Sequence, residues 1–257
     1  MKNKKLMFKH LFGFRMLLSI ILCLLSMSIV SFQNAGQEYF KNKTSFIAFS
    51  DGYFNSLLPF MVFIACALPA ADIYASHKSS GMLRYFITRT GRKRYFIEIF
   101  LINAICAFVA LFIAFSIWVL ISVLLCTGKP NLDLELNHTQ QYTYASLYLI
   151  SPTMYVLMAI LHGSIFSAVF ATLALALTFY VPKKFVAWVS PALISIFLSL
   201  VAMFLHLTHF EPSVMFAFTK VGHLNAVLVW CSWLIIILAS VILAWLKFMT
   251  TKNIQGE

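Results

Sequence analysis

The chain has 257 residues, 61% of them hydrophobic and only 11% charged, with a net charge of +11 at pH 7. A soluble domain of this size carries about a quarter charged residues, so water is excluded as its main solvent and lipid takes that place. The positive charge does not describe a nucleic-acid binder, because it lies in short clusters between apolar runs and not along a polar basic stripe.

Residues 1–15 include KKLMFKHLFGFR, which winds as a basic amphipathic helix suited to the cytoplasmic membrane face. Six apolar runs of about 20 residues follow, the length that crosses a bilayer as helix. They cover 16–32, 53–73, 97–126, 152–181, 185–207 and 224–246. The basic-then-apolar start is also the order of a secretion signal. Its basic region is long, however, and its apolar run exceeds the usual 7–15 or so residues, so an uncleaved first span is expected. The third and fourth runs are longer than the hydrocarbon core requires and are expected to tilt or to extend past it.

Between the first and second runs, 34–52 is polar and ends in SDG, a turn signal. TGKPNLDLELNHTQQ, with Asp133 and Glu135, forms the most hydrophilic connection. THFEPSVMFAFTKVGH encloses VMFAF, too short to span and too apolar for free solvent. Two readings stay open there, a short re-entrant piece and a loop resting on lipid.

Lys and Arg orient the spans. Lys2, Lys4, Lys5, Lys9 and Arg15 precede the first. Lys78, Arg84, Arg89, Arg92, Lys93 and Arg94 lie between the second and third, Lys183 and Lys184 between the fourth and fifth, and Lys247 and Lys252 after the sixth. The other side holds Lys41, Lys43, Lys129 and Lys220. The positive-inside rule therefore puts both termini in the cytoplasm, as an even number of spans also requires. The expected fold is an all-α polytopic membrane protein, one transmembrane domain of six helices.

Chemistry is sparse. No phosphate loop of the form G-x-x-x-x-G-K-[ST] and no H-E-x-x-H occurs, so no enzymatic activity is expected of the chain itself. The cysteines, Cys23, Cys66, Cys106, Cys126 and Cys231, form no C-x-x-C pair and read as small apolar residues. His162 and Ser164 in HGSIFS are too close along a helix to face each other as base and nucleophile. His206 and His209 share a helix face three residues apart, with Glu211 beyond, an incomplete ligand set for a metal. The apolar runs carry almost no acid or base, which disfavours an ion pathway. Asp51 and Asp72 are expected at span ends, in reach of water. Asn103, His162 and scattered Ser and Thr suit helix packing or an amphipathic passenger.

The exception to this sparseness is DIYASHKSSGMLRYFITRTGRKRYFIEIF, 72–100, which concentrates eight charges between two apolar runs. Ser79 or Ser80 is expected to cap a helix. Met82 with Phe86 and Leu83 with Ile87, each four apart, form an apolar stripe, Arg84 and Thr88 face elsewhere, and Thr90–Gly91 ends the helix. A helix this short cannot span and would lie across the cytoplasmic face. RKRYF then leads into the third span, with Tyr95 as interfacial anchor.

With Asp72 at the end of the second span, then Gly81, MLRYFITR and RKRYF, this stretch resembles the loop between the second and third spans of type-2 ATP-binding-cassette permeases. The resemblance implies a permease subunit of an exporter, moving a hydrophobic or amphipathic cargo such as a peptide. It implies that Ser80, Gly81, Met82, Leu83, Arg84, Tyr85, Phe86, Arg89 and Arg92 form a coupling helix docked on a separate ATPase chain. Met82, Leu83, Tyr85 and Phe86 would fill its groove, while Arg84, Arg89 and Arg92 met acids or lipid headgroups. ATP and Mg would sit in that partner, with no cofactor in this chain. A second permease subunit, identical or a sister, is also implied, within the plasma membrane of a bacterial cell. The competing class is a non-transport multispan protein, such as a bacteriocin-immunity or assembly factor, which would need no ATPase.

Overall fold

In hydrocarbon a chain must satisfy its own backbone groups, and long apolar runs therefore wind into helices. The computed structural model describes residues 13–33, 37–129, 135, 137, 139, 144–207, 210–218 and 226–250, and every regular element among them is helical. In chain order these are α1 (Phe14–Gln33), α2 (Gln37–Asn42), α3 (Ser45–Phe54), α4 (Leu58–Ala67), α5 (Ile73–Ser79) and α6 (Met82–Thr90). They continue with α7 (Arg92–Leu125), α8 (Ala145–Ile150), α9 (Pro152–Thr178), α10 (Lys184–Phe204), α11 (Pro212–Ala217) and α12 (Ala226–Thr250). The amphipathic N-terminal helix expected over 1–15 falls almost wholly outside the described residues.

Helices α1, α7, α9, α10 and α12 are each long and apolar enough to cross a membrane. The chain is a multi-pass membrane protein. A sixth crossing exists only if α3 and α4 are taken together, and these are bent by 69°. A single span over 53–73 was expected; instead the chain bends after Phe54, within that run. The local chemistry explains the break. The Ser56 hydroxyl donates back to the Gly52 carbonyl at 2.6 Å and accepts from the Leu58 amide at 3.0 Å. Pro59 stands in the first turn of α4, where its missing N–H costs nothing.

Helix α9 forms the centre, packed against α4, α7, α10 and α12. Its buried Ala159, Gly163, Ser164, Ser167, Ala171 and Ala174 let neighbouring helices approach closely. Polar side chains tie helix to helix. Asn103 Nδ2 donates to the Ala171 carbonyl at 2.7 Å, Ser167 Oγ to the Ala107 carbonyl at 3.0 Å, and Ser19 Oγ to the Ala65 carbonyl at 2.7 Å. The short apolar piece after α10 is α11, whose Met215 and Phe216 are buried in the main core and not spread over the surface.

Asp51 and Asp72 do not meet water as expected: they are 5% and 0% exposed. Each carboxylate survives burial because a cation and neutral donors surround it. Asp51 pairs with Lys43 and accepts from Tyr39 Oη at 3.0 Å and Asn55 Nδ2 at 3.1 Å. Asp72 pairs with Arg15 and accepts from Ser76 Oγ at 3.1 Å.

Candidate functional site

The charged stretch folds as three helices hinged at two glycines. Ser79 and Ser80 do not cap α6. Their hydroxyls fold back onto the Ser76 carbonyl at 3.1 and 2.8 Å and close α5 instead. Gly81, at φ 71° and ψ −2°, then turns the chain into α6, and Gly91, at φ 83° and ψ 148°, ends α6 and begins α7. Both are conformations that side chains with a Cβ resist.

Helix α6 rests on an aromatic cluster. Leu83 and Phe86 are buried there, with Ile87 packed beside them. The Phe86 ring stacks on His77 at 4.5 Å, and His77 Nδ1 shares a 2.9 Å hydrogen bond with Tyr95 Oη. Tyr74 stacks on Phe179 at 4.0 Å. Phe96 meets Phe179 at 5.6 Å and Phe248 at 5.7 Å. The start of α7 and the last turns of α9 and α12 thus converge beneath α6. Arg92 also joins the cluster: it donates to the Phe248 carbonyl, and its guanidinium lies 4.8 Å from the centre of that ring.

The expected coupling residues therefore divide. Ser80, Gly81, Met82, Arg84, Tyr85 and Arg89 are exposed, Met82 and Tyr85 at 54% each. Leu83 and Phe86 are buried in the chain's own aromatic cluster, and Arg92 is turned towards Phe248 in it. Tyr95, expected as an interfacial anchor, is buried. The i, i+4 rule allowed two adjacent stripes on α6, and the cluster beneath selects Leu83, Phe86 and Ile87, leaving Met82 outside. Arg89 Nη1 donates to Tyr85 Oη at 2.7 Å, so one exposed basic and aromatic pair is already joined. Lys78, Arg84, Arg89, Lys93 and Arg94 give this end a positive surface, and Glu98 nearby is paired with Arg94 at 2.9 Å.

A second tie was not legible in the sequence. Arg15, at the start of α1, reaches Asp72 at the start of α5 across 2.6 Å, and its guanidinium lies 5.7 Å from the Trp188 ring of α10. Together the ion pair and the aromatic cluster connect the α5–α6 segment to α1, α7, α9, α10 and α12.

No family model, no curated protein and no solved structure matches this chain. What the end of the bundle can do must come from its own geometry.

Ser164 Oγ donates to the Ile160 carbonyl at 2.7 Å, while His162 Nε2 bonds the Met215 carbonyl at 2.9 Å, so the two are not paired. Among the described residues, no three His, Cys, Asp or Glu side chains gather to hold a metal ion. His206 is exposed at φ 54°, and Glu211 accepts from Ser213 Oγ at 2.6 Å. His209 lies outside the described residues. The five cysteines are free thiols.

Proposed function

We propose that this chain is the membrane subunit of an ATP-binding-cassette exporter and that α6 is its cytoplasmic coupling helix. The observation that carries the reading is the two-sidedness of α6. Its Leu83–Phe86 side is seated on the ends of three spanning helices, while Met82, Arg84, Tyr85 and Arg89 are left facing outward. A helix held that way can pass a push from a partner to packed, rigid spans.

In this reading the partner is a separate ATPase that binds ATP and Mg and meets the outward residues from the cytoplasm. A second permease subunit completes the path. The cargo is hydrophobic or amphipathic, in keeping with 26 Phe residues and the near absence of intramembrane charge.

Copurification tests it. Met82→Asp with Tyr85→Asp is expected to release the ATPase while the chain still inserts and keeps its thermal midpoint. An ATPase retained by that double variant, or an intact wild-type chain to which none ever binds, overturns the reading.

A further inference from the structure

Phe218 follows α11 with φ 37° and ψ 37°, a left-handed conformation in which a bulky residue is strained. Its side chain is nevertheless buried, at 1% exposure. The rings around it are Phe54 at 4.9 Å, His162 at 4.8 Å, Tyr144 at 5.1 Å, Tyr53 at 6.0 Å and Tyr155 at 6.2 Å. Trp233 packs against His162, its ring centre 4.5 Å away. This is an aromatic box drawn from α3, α9, α12 and the residue before α8.

The box is polar in a way that Phe218 does not use. Tyr53 Oη, His162 Nδ1 and Trp233 Nε1 are all buried and, among the described residues, have no hydrogen-bond partner. His162 Nε2 faces the Met215 carbonyl, which only accepts, so Nε2 carries the proton and Nδ1 of the neutral ring is an acceptor. Tyr53 and Trp233 offer donors. Buried polar atoms normally have partners, and phenylalanine has nothing to give them.

We propose that this box is a binding site for a neutral aromatic molecule bearing a hydroxyl or N–H, and that Phe218 is a built-in occupant which such a ligand displaces. The ring of the ligand replaces the ring of Phe218, its polar group meets Tyr53 or His162, and the strained backbone relaxes as Phe218 leaves. Neutrality follows from the walls, where the box-lining residues named above include no acid and no Lys or Arg. Such a site needs no ATPase beside the chain.

The test uses the whole purified protein and two probes that differ by one hydroxyl, p-cresol and toluene, read by tryptophan fluorescence. Wild type is expected to bind p-cresol saturably and in preference to toluene. Phe218→Gly, which vacates the box and relieves the backbone, should tighten p-cresol about tenfold or more, because apparent affinity scales with the fraction of open sites. Tyr53→Phe in either background should weaken the preference. Phe218→Ala, which vacates the box without relieving the backbone, replaces it if the glycine variant does not fold. Absence of saturable p-cresol binding by wild type, or equal binding of both probes by the vacated variant, overturns the proposal and leaves Phe218 as plain core.

Discussion

Arg15 and Asp72, 57 positions apart, form a 2.6 Å ion pair in which the carboxylate is fully buried while the arginine side chain stays 42% exposed. The two ends of this bond are therefore not equivalent. Arg15→Ala strands a charge with no access to water, at a cost of about 3–5 kcal/mol. Asp72→Asn leaves Arg15 free to turn towards solvent or headgroups and should cost clearly less. Thermal unfolding of the two variants in the same detergent checks the order; equal losses would mean that the pair is not buried as described.

Gly52 permits a close crossing of α3 with α7. A Cβ there would lie 2.3 to 2.7 Å from three atoms of the Trp118 indole. Gly52→Ala should destabilise by about 1–3 kcal/mol, the usual cost of overpacking. Because all three clashes come from one side chain, Trp118→Leu should recover most of that loss in the double variant, as a thermal double-mutant cycle would show.

Among the described residues, nothing lies within 4 Å of the point a Cβ would occupy at Gly81 or Gly91, so the backbone decides what replaces them. Gly81, at φ 71° and ψ −2°, is near the left-handed region that asparagine tolerates, whereas Gly91, at φ 83° and ψ 148°, is in territory held almost solely by glycine. Gly81→Asn should cost under about 1 kcal/mol and Gly91→Asn about 1–3 kcal/mol. Thermal midpoints of the two variants measure the contrast.

Phe86 and Tyr85 are neighbours with opposite fates. Phe86→Ala removes a buried ring from the cluster under α6 and should lower stability by about 3–5 kcal/mol. Tyr85→Ala, on the exposed side, should stay within about 0.5 kcal/mol. Unfolding curves of the two variants, run side by side, read the difference.

Tyr39 and Tyr148 lie outside the spanning helices. Burial pushes both phenols up, and a carboxylate beside each, Asp51 or Glu135, pushes the same way. A phenol raised in the folded state contributes stability that is complete below its ordinary value of 10.0 and is lost as pH climbs towards the folded value. Stability should therefore fall from about pH 10 upward, and Tyr39→Phe should soften that fall. Unfolding followed across alkaline pH, with tyrosinate absorbance as the second readout, checks it.

The spanning helices were legible because run length and lipid thickness are one constraint, and α7, α9, α10 and α12 start or stop within a few residues of their apolar runs. The bend between α3 and α4 was signalled by NSLLP at 55–59, but hydropathy passes over it, since Leu57 and Leu58 are as apolar as any span. The inward face of α6 was half legible: period alone admits Met82 with Phe86 or Leu83 with Phe86, and only the rings of Tyr74, Tyr95 and Phe248 choose. Neither the partner of Asp72 nor the box around Phe218 could be read at all. Both join residues from distant helices, and no local pattern encodes which distant side chain will arrive.

A single amino acid, Gly91, separates the short rod α6 from the 34-residue α7. Such a joint has no slack in which a displacement could be lost. At 1.5 Å per residue the longer arm extends about 51 Å, so a swing of about 5° at the elbow carries its far tip roughly 4 Å. A small angle at that joint becomes ångström-scale travel at the far end of α7.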